Sequence, residues 1–294
     1  MERIAVIGLG QMGGAIATRL HSQGHEIIGY DSNAATCRDF AARGIAVAES
    51  IADAAGQSGV VLTSLPNSSA VQAVWTGADG LATCVGPGTL CVELSSIDPQ
   101  TMQAVGRILA ARGAEIVDCP VSGSPQEALG GKLVLIAGGE PAAVERARPI
   151  LTRLGETVRY AGPIGTAKVV KIVNNMMSMA NILSASEAFA LGERAGVNPD
   201  VLLDILSVSG GRSSQFLKRF PWAVKGDFAP RFKMELGEKD LSLGVDLGRA
   251  VGMPTPVASL TRELYALAMA QGLRGKDIVA LLQMYEQWGR ATEG

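Results

Sequence analysis

The sequence is poor in the residues that build metal clusters and disulfide frameworks. It has 4 cysteines and 2 histidines among 294 residues, and the four cysteines form no C-x-x-C pair. We therefore expect no metal centre. The same scarcity is typical of reduced thiols, which predicts a cytoplasmic location.

An excess of one charge and long apolar runs are missing as well. The chain carries 26 basic and 28 acidic residues, so we expect no surface for nucleic acid. No segment reaches the roughly 18 consecutive apolar residues that a membrane helix needs, and no leader-like segment precedes the first strand pattern. We therefore expect no membrane binding, and a partner that is a small molecule or another protein.

A glycine-rich motif stands between the first predicted strand and the first predicted helix. The apolar run Ile4–Ile7 passes into G-x-G-x-x-G and then into a helical pattern. In dinucleotide-binding folds the first glycine permits a tight turn, the second lets a pyrophosphate approach the backbone, and the third lets helix and strand pack closely. The candidate cofactor-binding residues of this motif are Gly8, Leu9, Gly10, Gln11, Met12 and Gly13.

An acidic residue at the end of the second predicted strand bears on the choice of cofactor. Asp31 follows the strand pattern 26–30, where a carboxylate can accept both hydroxyls of the adenosine ribose. The same carboxylate repels the 2′-phosphate of NADP, so the sequence favours NAD. Two alternatives stay open: Asp31 only starts the turn into the next helix, or Arg38 reaches the phosphate of NADP.

Polar loops follow two further predicted strands, at 60–63 and 89–93. Ligands of doubly wound sheets bind beyond the carboxyl ends of the strands, so these loops should flank the nicotinamide half of the cofactor. The candidate residues are Leu65 and Pro66 in the first loop and Ser96 in the second. The alternative is that these loops supply only ordinary helix caps, from Asn67 and Asp98.

A third loop, 119–125, follows the predicted strand 115–118 and contains Ser122 and Gly123. Its turn-forming residues expose backbone amides that could hold a carboxylate, although a Ser-Gly pair is more often only a turn. Strand patterns at 132–137 and 158–160, with a helix at 142–154 between them, complete the predicted sheet.

Residues 165–196 form the longest helical pattern, apolar over most of its surface and free of proline. We expect such a helix to be buried on several sides. One stripe of polar residues, exposed to water, should run along it, formed by Lys168, Lys171, Asn175 and Ser178. Lysines in the first turns of a helix oppose its macrodipole. Either their amines reach water or an acidic partner, or one of them faces a cleft and exchanges a proton with a substrate beside Asn175.

Four blocks of sequence resemble the β-hydroxyacid dehydrogenase family, which includes 3-hydroxyisobutyrate dehydrogenase and tartronate semialdehyde reductase and is related to 6-phosphogluconate dehydrogenase. They cover nearly the whole chain in order, and they are 8–13 with Leu20, 118–123, 165–175 and 232–241. The resemblance implies that Lys171 is the catalytic lysine and that Asn175 orients the substrate. It also implies that Ser122, Gly123, Phe232 and Lys239 contact the substrate, and that Lys239 lies near the cofactor as well.

The resemblance implies an oxidoreductase that transfers a hydride between NAD and a small 3-hydroxycarboxylate, such as 3-hydroxyisobutyrate or the acid matching tartronate semialdehyde. Two departures bear on the substrate pocket. Lys168 stands where glutamine or a small residue is expected, and Ser124–Pro125 replaces a glycine-rich continuation. The alternatives are an imine reductase, which typically lacks the lysine, and a non-catalytic nucleotide-binding scaffold. The presence of Lys171 argues against both.

The expected fold is α/β, with an N-terminal Rossmann-type doubly wound sheet and an all-α C-terminal domain joined by a long interdomain helix. We place the NAD-binding domain at 1–163 and the helical substrate and oligomerisation domain at 164–294. Helical patterns at 198–206, 239–251, 259–271 and 276–285, without strand alternation, support the second domain. A small helical domain around an apolar helix should leave hydrophobic surface exposed, which predicts a homodimer or homotetramer.

Overall fold

The structure is a computed structural model, and it describes residues 3–290, with the side chain of Arg290 excepted. The chain divides into two compact units, Met1–Lys171 and Ile172–Gly294, and the division falls inside a long helix. Each unit is described by itself. The proposed boundary of the cofactor domain at residue 163 stays a prediction.

The first unit is built on a twisted sheet whose order is β3-β2-β1-β4-β5-β6-β8-β7, with β9 beside β8. Strands β1 to β6 pair with one another in parallel, and their order is that of dinucleotide-binding folds. Strand β8 pairs antiparallel with β6 and β7 and parallel with β9. The strands are β1 Ile4–Ile7, β2 Ile27–Tyr30, β3 Ala46–Val47, β4 Val60–Thr63, β5 Leu90–Glu93, β6 Glu115–Asp118, β7 Val121–Ser122, β8 Val134–Gly139 and β9 Thr157–Gly162.

In the described part of this unit, seven α-helices precede the long helix in which the two units divide. They are α1 Gln11–Ser22, α2 Ala34–Ala42, α3 Ile51–Gly56, α4 Ser68–Thr76, α5 Pro99–Ala110, α6 Pro125–Leu129 and α7 Pro141–Leu154. Alternate residues of β1 enter two different apolar cores, because successive side chains of a strand point to opposite faces. Ile4 and Val6 pack in the core that includes α1 and α7, whereas Ala5 and Ile7 pack in the core that includes α4 and α5. The predicted doubly wound fold is confirmed.

The strand predicted at 132–137 is displaced along the chain, since β8 runs from Val134 to Gly139. Lys132 forms only an isolated bridge with Gly155, and Gly138 and Gly139 continue the strand instead. The second glycine has φ 136, a conformation that glycine adopts without steric cost. Strands β3 and β7 have two residues each, too few to show an alternating pattern.

The second unit contains helices and turns, with an isolated bridge between Lys233 and Asp277, within the part of the chain that is described. Its helices are the later part of α8 Thr166–Arg194, then α9 Pro199–Val208, α10 Ser214–Ala223, α11 Met234–Ala250, α12 Pro256–Ala268 and α13 Leu281–Arg290. Helices α11 and α12 pack closely because Gly237 has no side chain. A Cβ there would lie 2.6 Å from Tyr265 Cε1. The predicted helical character of this half is confirmed.

Helix α8 corrects the prediction of a polar stripe exposed to water. Lys168 is 0%, Lys171 9% and Asn175 5% exposed, whereas the apolar Val173 and Met177 are 47% and 63% exposed. Two of these buried side chains, Lys168 and Asn175, bond to acidic residues of other elements, as described below. The helix does have the predicted extent, and Gly196 beyond its end has φ 91.

Among the described residues, no helix is both long enough and apolar enough to span a bilayer.

Candidate functional site

The glycine motif forms a backbone cradle at the carboxyl end of β1. Gly8 has φ 87, and a Cβ at Gly13 would lie 1.9 Å from the carbonyl oxygen of Gly8, so neither position accepts a side chain without rearrangement. A Cβ at Gly10 would meet nothing within 4 Å. Gly10 immediately precedes α1, whose first amides have no intrahelical partner. The cradle therefore fits a pyrophosphate at a helix N-terminus.

Asp31 lies beside this cradle and is held by two backbone amides. Its Oδ2 accepts from Leu9 N at 2.8 Å, and its Oδ1 accepts from Asn33 N at 2.8 Å. Each carboxylate oxygen can accept more than one hydrogen bond, so both retain capacity for the ribose hydroxyls. The helix α2 is capped by Asn33, whose side chain accepts from Ala35 N. Asp31 thus orders the turn and also remains suited to a ribose.

The loops after β4 and β5 are joined by a hydrogen bond at the same edge of the sheet. Leu65 N donates to Ser95 Oγ at 2.7 Å. Leu65 and Ser96 are half-buried, and Pro66 is exposed. Further along these loops Asn67 caps α4 and Asp98 caps α5, so the alternative of helix capping holds as well.

A buried ion pair connects the end of β5 with the first turn of α8. Lys168 Nζ lies 2.5 Å from Glu93 Oε2, and both side chains are 0% exposed. The ammonium also donates to the carbonyl oxygens of Glu93 and Ser95, each at 2.9 Å. Lys168 therefore does not reach water, and its charge is matched inside the fold.

Asp118, at the end of β6, holds the start of α8. Its Oδ2 accepts from the backbone amides of Gly165 at 3.1 Å and Lys168 at 3.3 Å. Burial raises the pKa of the Asp118 carboxyl, and the nearby charge of Lys168 opposes that rise. Its Oδ1 is buried and accepts no hydrogen bond. Asp118 thus fixes where the helix of Lys171 begins.

The loop of Ser122 and Gly123 starts at the end of β7, where Ser122 pairs with Val134 of β8. Gly123 is exposed and has φ 144, and a Cβ there would lie 2.6 Å from Leu133 Cδ2. Ser124 stands where a glycine is expected, and its hydroxyl is engaged in hydrogen bonds with Glu127. It forms a capping box with Glu127 at the start of α6.

Two turns into α8, Asn175 is held by an acid of the second unit. Its Nδ2 donates to Asp240 Oδ2 at 2.5 Å. Asp240 Oδ1 forms an ion pair with Lys239 Nζ at 3.1 Å. Asp240 is 4% exposed, whereas the side chain of Lys239 is 30% exposed. Asp240 thus adjoins two predicted site residues at once.

Phe232 lies in a turn before α11 that is fixed by Asp277. Phe232 N and Arg231 N donate to Asp277 Oδ2 at 2.8 Å and 2.9 Å. The same carboxylate binds the buried Arg219 through both oxygens, at 2.7 Å and 2.6 Å. The ring of Phe232 packs partly against the core of the second unit.

The structure brings several predicted residues together along α8 and within the second unit. Lys171 and Asn175 lie one turn apart on α8, and Asn175 and Lys239 meet at Asp240. Ser122 and Gly123 belong to the first unit, and Phe232 and Lys239 to the second. Sequence reasoning missed Glu93 and Asp240 as partners of the α8 side chains. An acid that ends an apolar strand run, as Glu93 does, was the available signal.

Comparison with known proteins agrees with the cradle, the sheet order and the long helix. A family model described as the NAD binding domain of 6-phosphogluconate dehydrogenase matches residues 3–162. A second, described as NAD-binding of NADP-dependent 3-hydroxyisobutyrate dehydrogenase, matches residues 165–285. These features define the class of dehydrogenases that use a nicotinamide dinucleotide.

Similar proteins extend over nearly the full chain. The 2-(hydroxymethyl)glutarate dehydrogenase of Eubacterium barkeri is 32% identical, over 97% of this chain and 95% of that protein. The 3-sulfolactaldehyde reductase of Escherichia coli K12 is 35% identical, over 96% and 95%. The structure of Mycobacterium tuberculosis 3-hydroxyisobutyrate dehydrogenase with L-serine is similar with a TM-score of 0.89 and 28% identity, over 97% and 99%. This chain belongs to the β-hydroxyacid dehydrogenase family, and it is an oxidoreductase of hydroxy acids that uses a nicotinamide dinucleotide.

Proposed function

We propose that Lys171 takes the hydroxyl proton when the hydroxy acid is oxidised and returns it in the reverse reaction. The observation that carries this proposal is its place on α8. The polar residues one turn before and one turn after it on the same face are each bonded to a buried acid, Lys168 to Glu93 and Asn175 to Asp240. Lys171 itself is 9% exposed and therefore mostly shielded from water. Such shielding suits proton transfer at a defined atom.

The substrate carboxylate, in this proposal, binds the backbone amides of the Ser122–Gly123 loop. The exposed Gly123 supports this, because a residue without a side chain leaves the amides of its loop accessible. Asn175 would orient the reacting oxygen, since the hydrogen bond to Asp240 fixes its amide group. Phe232 and Lys239 would line the remainder of the substrate site, and Lys239 would also reach the cofactor. The substrate class is a small 3-hydroxycarboxylate or the matching semialdehyde.

We propose NAD as the preferred cofactor, which supplies the hydride acceptor when bound. Asp31 supports the choice, because its negative charge beside the cradle disfavours a 2′-phosphate. Gly8 to Gly13 would hold the pyrophosphate, and Leu65, Pro66 and Ser96 would contact the nicotinamide half. The cofactor domain of this proposal is 1–163, and the substrate domain is 164–294.

The experiment is a turnover screen with NAD and with NADP against small acids that share a 3-hydroxyl and differ in one group, such as methyl, hydroxymethyl, amino or sulfonate. We expect turnover with at least one acid and a higher kcat/KM with NAD. A 2-hydroxy acid series is the matched control, because its hydroxyl lies one carbon nearer to the carboxylate. Turnover of 2-hydroxy acids alone would contradict the proposed arrangement of loop and lysine.

We also propose that the second unit associates with further copies of the chain, as a homodimer or homotetramer. Helix α9 supports this, since it has no buried residue and its apolar Ile205 and Val208 are 54% and 76% exposed. Light scattering at several protein concentrations tests the proposal. A monomer throughout would contradict it.

A cytoplasmic location is the last part of the proposal. It is supported by the cysteines, all four of which are unpaired. Fractionation of the cells that make the protein tests it, and recovery outside the cytoplasm would contradict it.

A further inference from the structure

The buried ammonium of Lys168 uses every donor that it has. An ammonium carries three N–H groups, and Lys168 Nζ has three acceptors within 2.9 Å: Glu93 Oε2, the Glu93 carbonyl oxygen and the Ser95 carbonyl oxygen. With 0% of its surface exposed, the side chain has no contact with water. Lys168 therefore holds one short piece of backbone, 93–95, against the first turn of α8.

The same set of hydrogen bonds continues to the neighbouring loops. Glu93 Oε1 accepts from Ser95 N at 2.9 Å, and Ser95 Oγ accepts from Leu65 N at 2.7 Å. The backbone amide of Lys168 donates to Asp118 Oδ2 at 3.3 Å. The carboxyl ends of β4, β5 and β6 are thus joined to α8 through Lys168 and its direct partners.

The location of the pair distinguishes it from a pair that only stabilises the fold. A buried ion pair is a weak source of stability, because the desolvation of both charges offsets their attraction. This pair lies at the edge of the sheet where the proposed cofactor-binding residues Leu65 and Ser96 are found. Leu65 belongs to the hydrogen-bonded set, and Ser96 directly follows Ser95, which also belongs to it. It also lies one helical turn before Lys171.

We propose that Lys168 is a positioning residue, which fixes the loops after β4 and β5 relative to α8 and so keeps the nicotinamide site and Lys171 at a constant separation. The inference rests on the role proposed above for Lys171. Misplacement of a reacting group by about 1 Å can cost on the order of a hundredfold in rate. The loss of Lys168 should therefore act on the chemical step more than on ligand binding.

The test compares Lys168→Met with a core variant of equal stability loss. Methionine keeps much of the length of the side chain and removes all three donors. Leu151→Ala, at a fully buried position of α7 that packs in the apolar core, is the control, and the two are matched by the midpoint of thermal unfolding. Glu93→Gln is the second variant, because it removes the charge opposite the buried ammonium and replaces one of the two carboxylate oxygens that accept from Lys168 and from Ser95 N by a donor. The same changes in amide exchange and in kcat are expected for it, and they carry the test if Lys168→Met does not fold.

The first measurement is amide hydrogen exchange of Leu65 and Ser95 in the protein without cofactor. We expect exchange about tenfold or more faster in Lys168→Met than in Leu151→Ala, because the acceptors of both amides belong to the set that Lys168 holds. Equal exchange in the two variants would overturn the proposal. This measurement does not depend on any assumption about the reaction.

The second measurement separates kcat from KM with NAD and the best acid of the screen. We expect kcat of Lys168→Met to fall by about tenfold to a hundredfold while both KM values change by less than about threefold. Leu151→Ala should keep its kcat per folded molecule. An equal fall of kcat in both variants, or an unchanged kcat in Lys168→Met, overturns the positioning role. Full activity of Lys171→Ala would instead overturn the role of Lys171, so the two failures are distinguishable.

Discussion

Two acids hold the polar face of α8, and they differ in how completely their hydrogen bonds are satisfied. In the first unit, Glu93 is 0% exposed and both of its carboxylate oxygens accept hydrogen bonds, from Lys168, Ser95 and Thr63. In the second unit, Asp240 accepts from Asn175 through Oδ2, while its Oδ1 has the ammonium of Lys239 at 3.1 Å and no other hydrogen-bond partner among the described residues.

The two regions also differ in exposure. Glu93 and its partner Lys168 are both 0% exposed, so neither side chain can reach a ligand without rearrangement. The partner of Asp240, Lys239, is also more exposed than Lys168, at 30% against 0% of the side chain. The Glu93 region therefore fits the positioning role proposed above, whereas Asp240 adjoins the predicted site residues Asn175 and Lys239. On α8 itself, Lys171 stands between Lys168 and Asn175 on the same face.

The largest expected effect is that of Lys171→Ala. A general acid–base group typically contributes about a hundredfold to ten-thousandfold in rate, so kcat should fall by that order while the Kd for NAD stays unchanged. Lys171→Arg should not restore activity, because a guanidinium does not release its proton near neutral pH. Steady-state kinetics and cofactor titration measure both quantities. Lys225→Ala, at an exposed lysine of the second unit, is the control and should behave as the unmodified chain.

The next effect concerns Asp240→Asn, which tests the predicted roles of Asn175 and Lys239 through the acid that both contact. The amide cannot balance the charge of Lys239 and holds Asn175 less firmly, so kcat/KM for the acid should fall by about tenfold to a hundredfold. Asp246→Asn is the control, since Asp246 is an exposed acid on the same helix. An equal fall of kcat/KM in Asp240→Asn and Asp246→Asn would contradict a specific role of the Asp240 region.

A smaller effect is expected for Gly123→Ala, which tests the carboxylate loop. The new Cβ meets Leu133 Cδ2 at 2.6 Å, and the backbone has φ 144, so the loop must shift. The KM for the acid should rise by about tenfold with little change in the Kd for NAD. Gly44→Ala, also with positive φ but with open space around it, controls for backbone strain alone. Loss of cofactor affinity in Gly123→Ala would indicate general damage to the sheet.

The smallest effect is expected for Asp31→Asn, which leaves both the Glu93 and Asp240 regions intact. The loss of negative charge weakens the ribose contact, so the KM for NAD should rise by several-fold to about tenfold. The ratio of kcat/KM with NAD to kcat/KM with NADP should fall, because the charge that repels the 2′-phosphate is gone. Asp39→Asn, at an exposed position of α2, is the control. If the unmodified chain already prefers NADP, the assignment of NAD is wrong.

The sheet was predictable because its central strands are continuous apolar runs that end in polar loops. The predictions for 60–63 and 115–118 agree with β4 and β6 to the residue. Helix α11 begins before its predicted start at 239, since Met234 N donates to Lys276 O, a contact from a distant part of the chain. Local pattern carries no information on such a contact.

The sequence could single out polar residues of α8 as candidates, but it could not predict their partners. Lys171 and Asn175 stood out as polar residues on an apolar helix, whereas their environment depends on residues far away in sequence. Glu93 is separated from Lys168 by 75 positions, and Asp240 from Asn175 by 65. For this reason the sequence predicts a polar helix face that is exposed to water, whereas in the structure Lys168, Lys171 and Asn175 are buried.

Chemical rescue of Lys171→Ala tests most directly whether this lysine moves the proton. If Lys171 acts as proposed above, its deletion leaves space beside the substrate hydroxyl for a small primary amine. Methylamine should then raise kcat in proportion to its concentration until saturation. In the direction of oxidation the unprotonated amine should be the active form. The same amine should leave Lys225→Ala unchanged. Unimpaired turnover of Lys171→Ala without amine, or no response to amine when the variant still binds NAD and acid, would contradict the account.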